Sequence, residues 1–166
     1  MKKNIITLTL IFLSIITFAQ EKILFDEVNI SIVPPDGFKK VDFFNGFFNY
    51  SNGASIQIAP IDSFAYVLVA QGFTKEVLEP QGITFISKEN VTTPSGKKGI
   101  LITMSYEITQ NNKDTGIEET RTYNRLSFLT GDMNRTIYIS ANYVVLVKEL
   151  VRDVILNSLY TVQFED

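Results

Sequence analysis

The chain has 166 residues, 45% hydrophobic and 20% charged, enough for one substantial core and too few for two domains of ordinary size. It carries no histidine and no cysteine, which excludes disulfides, the usual zinc ligand sets, and Ser-His or Cys-His nucleophiles. A formal net charge of −3 leaves no basic excess for phosphate backbones, so no nucleic-acid partner is expected.

Lys2 and Lys3 precede the uncharged run ITLTLIFLSIITF, which ends in Thr17, Phe18 and Ala19. A basic start, an apolar stretch and a small-residue exit are the parts of a secretory signal peptide, so residues 1–19 read as a signal segment cleaved after Ala19. The run is shorter than the roughly 20 residues of a spanning helix, and no transmembrane span is expected after cleavage. Removing Lys2 and Lys3 leaves 13 basic against 18 acidic residues, a charge of −5 with the termini ignored. The expectation is an exported protein, periplasmic or secreted, with residues 20–166 as a single domain.

Val28, Ile30 and Ile32 alternate with Asn29 and Ser31, the period of a strand with one buried side. Pro34 and Pro35 stop it, Asp36-Gly37 turns the chain, and Phe38 anchors the return. Gly46 to Tyr50 and Ala54 to Ala59 form a hairpin around Ser51-Asn52-Gly53. A helix through FAYVLVAQ, capped by Asp62 or Ser63, is predicted up to Gly72, with strand as the alternative because of its β-branched, all-round apolar character. Thr74 caps a second short helix that Pro80 closes, with Phe73 and Leu78 as a hydrophobic staple.

From Ile83 onward, apolar alternation and short turns predict a four-stranded antiparallel meander: Ile83 to Val91, Lys98 to Thr109, Glu119 to Leu129, and Arg135 to Ala141. Tyr143 to Leu159 then places Val147, Leu150, Val151, Val154 and Ile155 at helical spacing, an amphipathic helix that should close one sheet face.

Three segments in this order, ISIVPPDGF, FFNYSNGASIQI and VRDVILNSLYTVQF, resemble the PsbP-like and DcrB-like α/β/α sandwich family, with Phe38 standing where a tryptophan is common. The resemblance implies an exported bacterial member of α+β class: an antiparallel sheet flanked by helices, a mostly non-enzymatic repertoire and partner binding. It brings no active-site residues.

No GxGxxG or Walker loop is present, and the loop from Asn111 to Glu119 misses the EF-hand register, so neither cofactor nor metal is expected. Matching apolar faces across the meander sets Ile102 opposite Leu126 and Ile100 opposite Phe128, which brings Glu107, Arg121, Tyr123, Arg125 and Tyr138 onto one polar face. Arginines beside tyrosines suit anionic or carbohydrate ligands, or a protein partner, through forked hydrogen bonds and aromatic contact. In the aromatic stretch FKKVDFFNGFFNY, Phe47, Phe48 and Tyr50 are expected in the core of a sheet covered on both sides; Phe43 and Phe44 form a candidate exposed tip. These observations point to a non-catalytic exported envelope protein that binds a protein partner or ligand. The alternatives are a carboxylate-dependent glycan hydrolase, with Asp26, Glu27, Asp36, Asp42 and Asp62 available, and a carrier of a small apolar ligand.

Overall fold

The computed structural model describes residues 21–113 and 116–165; the expected signal segment lies outside them. In chain order the strands are β1 (Ile23–Phe25), β2 (Ile30–Ile32), β3 (Lys39–Lys40), β4 (Gly46–Phe48), β5 (Ser55–Asp62), β6 (Ile83–Thr92), β7 (Lys98–Asn111), β8 (Glu118–Gly131), β9 (Arg135–Val144) and β10 (Gln163–Phe164). The helices are α1 (Tyr66–Gln71), α2 (Lys75–Leu78) and α3 (Lys148–Leu159). Seven strands form the main sheet in the order β3-β4-β5-β9-β8-β7-β6, all neighbours antiparallel, and β1-β2-β10 form a small second sheet.

The meander appears as predicted, and β5 extends it by pairing with β9 along eight residues. β5 and β6 therefore run parallel, on opposite sides of β9, β8 and β7, and their link must cross a sheet face. α1 and α2 are that crossover, which resolves FAYVLVAQ as helix. Neither expected side-chain cap forms: Asp62 is consumed as the last residue of β5, paired with Arg135 at 3.2 Å, and Ser63 takes a left-handed conformation (φ 67°). Ala65 starts the helix instead, without a side-chain cap. Pro60 is tolerated within β5 because β4 pairs only as far as Gln57, so the side on which proline lacks an N–H has no neighbouring strand.

α3 buries Val151, Ile155 and Leu159 at four-residue spacing against one sheet face, together with Phe47, Ile56, Leu126, Phe128 and Ile139. β2 packs into the same core through Ile30 and Ile32. The helix begins at Lys148 rather than near Tyr143, because β9 continues to Val144 and turns the Tyr143 ring inward. On the other face Ala70, Leu78, Ile100, Ile102, Met104 and Leu129 form a second core beneath α1 and α2.

The register between β7 and β8 differs by one residue from the expected pairing. Ile102 lies opposite Ser127 and Met104 opposite Arg125, so Leu126 and Phe128 face α3 while Ile100, Ile102 and Met104 face α1 and α2. With both faces covered, the run from Ile100 to Met104 is apolar at consecutive positions, and alternation no longer identifies its partner.

Candidate functional site

α1 and α2 roof the sheet only as far as Met104 and Leu129, leaving the rest of that face open. There the corrected register sets Tyr106 beside Tyr123 and Arg125 beside Asn142. The two tyrosine rings stack, 5.6 Å between centroids and 14° from parallel, and the Arg125 guanidinium lies 4.8 Å above the Tyr106 ring. Arg125 Nε donates to Asn142 Oδ1 at 2.7 Å, and the Tyr106 hydroxyl donates to the same oxygen at 3.1 Å. Asn142 Nδ2 reaches toward Ser140 Oγ at 3.4 Å, which orients the amide with its oxygen toward the arginine.

Among the described residues Arg125 has no carboxylate partner. Its Nε is taken by a neutral amide and one face by a neutral ring. What remains is the terminal Nη pair, the fork that binds a carboxylate or phosphate.

Further along β8, Arg121 pairs with Glu119 at 3.1 Å, and Asn112 Nδ2 donates to the other oxygen of Glu119 at 2.7 Å. The bonds from Asn112 and Arg121 hold the Glu119 carboxyl below its ordinary range, so it stays ionised. Glu119, Arg121, Tyr123, Ile108, Asn112 and Lys113 border an open slot of about 290 Å³.

No protein-family model matches this sequence, and no curated protein does either. Solved structures do. The Ran-binding protein Mog1p of Saccharomyces cerevisiae superposes with a TM-score of 0.58 at 12% identity, over 88% of this chain and 95% of its own. Cyanobacterial PsbP (CyanoP) of Synechocystis sp. PCC 6803 gives 0.54 at 13%, over 87% and 91%. LpqN of Mycobacterium tuberculosis, involved in cell envelope biogenesis, gives 0.53 at 12%, over 82% and 83%. The chain has the PsbP-like and Mog1-like fold.

Within this PsbP-like sheet, the five residues expected to share a face divide. Arg121, Tyr123 and Arg125 are brought together. Tyr138 lies on the same side but under the helices, with its ring 6.1 Å from Phe73 and its hydroxyl 3.0 Å from Ser127 Oγ. Glu107 is a correction: it sits opposite Thr122 on the reverse face, in a hollow with Thr84 and Ser105. The same one-residue shift brings Tyr106 to this face, while Asn142, the other residue that holds Arg125, lies one position past the predicted strand end at Ala141.

Phe43 is 73% exposed and meets half-buried Phe44 edge to face at 4.8 Å, so the exposed tip of the PsbP-like domain's aromatic stretch is Phe43. Phe47 is core. Phe48 and Tyr50 correct the expectation: Phe48 is half-buried and Tyr50 is 68% exposed, because α1 and α2 cover the middle of the sheet and do not reach β4.

Proposed function

We propose that this chain is an exported, non-catalytic binding protein of the cell envelope, which holds its partner or ligand on the open arginine and tyrosine face of its sheet. The observation that carries the reading is Arg125: a guanidinium fixed by Asn142 and Tyr106, with no carboxylate partner among the described residues. A guanidinium retained only for stability would gain most from an acidic neighbour, as Arg121 and Arg135 do here. The envelope setting is supported by the leader-like N-terminus, and by the fold that this chain shares with LpqN, itself involved in envelope biogenesis. Binding is supported by Mog1p, which uses this fold for Ran.

The hydrolase reading finds less support. A glycosidase needs two carboxyls flanking the bond, one with a raised pKa. Among the described residues the slot beside Tyr123 is bordered by one, Glu119, and its carboxyl is shifted the opposite way. The apolar-carrier reading would need an enclosed greasy cavity, whereas the cleft beside α3, about 370 Å³, is open and bordered by Lys148, Glu149, Arg152 and Asp153.

Photo-crosslinking tests the proposal. A crosslinker placed at Gln110, on the open face beside the slot, should give a discrete adduct in envelope preparations that disappears in the Arg121→Gln/Arg125→Gln double variant while circular dichroism stays native. Equal adducts from both proteins would overturn it.

A further inference from the structure

We infer that the open face binds an acidic saccharide: the Arg125 fork takes a uronate carboxylate, and a neighbouring sugar ring lies in the slot against the free face of Tyr123. The inference rests on the binding role proposed above and names its ligand class.

Three features select this chemistry. The first is the division of labour between the arginines. Glu119 is ionised and already paired with Arg121, so an incoming anion meets less competition at Arg125, two strand positions from Tyr123 on the same face. The second is the slot. Tyr106 stacks on one side of the Tyr123 ring, and the slot opens beside that ring over Ile108. Its volume of about 290 Å³ lies near the lower bound of small-molecule sites, about 300 Å³. Ile108 and the Tyr123 ring match the C–H face of a pyranose, while Glu119 and Lys113 offer an acceptor and a donor to its hydroxyls.

The third feature argues against an acidic peptide. Extended peptides gain much of their affinity by adding a strand to a sheet edge, through main-chain hydrogen bonds. At Tyr106, Tyr123 and Arg125, β7 and β8 are paired on both sides, so the main-chain groups beneath the Arg125 fork are occupied; the hairpin loses its outer neighbours only beyond Tyr106 and Tyr123. At Arg125 only side chains are offered, which suits a ligand whose polar groups are hydroxyls and carboxylates.

The test is calorimetric titration of the purified protein with tetragalacturonate, its methyl ester and poly-glutamate. Tetragalacturonate should bind, while its methyl ester and poly-glutamate bind at least about tenfold more weakly, since the charged forked bond is lost with the ester and the ring contact with the peptide. Arg125→Gln should weaken tetragalacturonate by about tenfold or more. Tyr123→Phe should keep most of the affinity and Tyr123→Ala should lose it, with circular dichroism confirming the fold of each; Glu107→Gln, on the reverse face, should bind as the native protein does. The saccharide inference is overturned by no binding to native protein, equal binding of acid and ester, equal binding of poly-glutamate, or indifference to Arg125→Gln. Those outcomes leave the broader binding reading standing if the crosslinked adduct still depends on Arg121 and Arg125. Loss of that dependence removes both.

Discussion

Asn142 decides how Arg125 is presented, and a single atom exchange separates its structural role from its electrostatic one. Asn142→Asp keeps an oxygen where Arg125 Nε and the Tyr106 hydroxyl donate, but places a negative charge beside the guanidinium. The fold should survive with an unchanged or slightly raised melting temperature, while anion binding by Arg125 falls because the charge is satisfied internally; retained tetragalacturonate affinity in this variant would contradict the role given to the fork. Gly99 is a second position set by one contact. A Cβ there would stand 2.4 Å from Cε2 of Phe128, whose ring is fully buried and has nowhere to swing, and 2.9 Å from the Leu129 carbonyl oxygen. Gly99→Ala should cost about 1–3 kcal/mol in denaturant unfolding. Burial raises the pKa of Tyr143 above its ordinary value. The folded state then holds its proton more tightly than the unfolded chain, so this contribution to stability is complete below the unfolded tyrosine value, about 10, and is lost as pH rises through the folded one. Melting temperatures should fall more steeply above that pH in native protein than in Tyr143→Phe.

At the level of elements, α3 is the lid of the larger core, and Val151 is the centre of its buried stripe at 2% exposed. Val151→Asp should destabilise the protein by several kcal/mol, roughly 3 or more, because the carboxyl must be buried without a partner or drawn out at the expense of packing. Leu150→Asp, one residue earlier and 75% exposed, should change the melting temperature little. The contrast was readable only in part from the sequence. Helical spacing placed both residues on the apolar side, and the way the helix docks on the sheet decides which of them is buried. Turns were the most legible features, since Pro34-Pro35, Asn52-Gly53 and Pro94-Ser95-Gly96 punctuate the chain where the strands end. Strand register was the least legible, since it depends on what covers each face. Arg121, Tyr123 and Arg125 alternate on one strand and could be grouped from β8 alone, whereas excluding Glu107 from their face required knowing that α1 and α2 bury Ile100, Ile102 and Met104. The sheet edges show a related economy: β3 is two lysines long, and β6 carries a bulge between Phe85 and Ser87, both of which blunt strand-to-strand aggregation.

Considered as a whole, the molecule divides its surface by task, with two cores filling the middle of the sheet and the open Arg125 face lying beyond the reach of the crossover helices. Among the described residues the first strand is β1, and the pairing of Ile23 with Ile32 fixes it to the small sheet. The cores and strand pairs named above are built from residues that follow the expected cleavage site. The proposal of an exported protein therefore makes a physical prediction about where the mature chain starts. N-terminal sequencing of the protein recovered from a fractionated cell should begin at or near Gln20, and the matured protein should melt at the same temperature as a chain expressed from Gln20 onward. Recovery of an uncut chain beginning at Met1 in the cytoplasmic fraction would remove the envelope setting, and with it the reason to seek an acidic envelope saccharide as the ligand of Arg125.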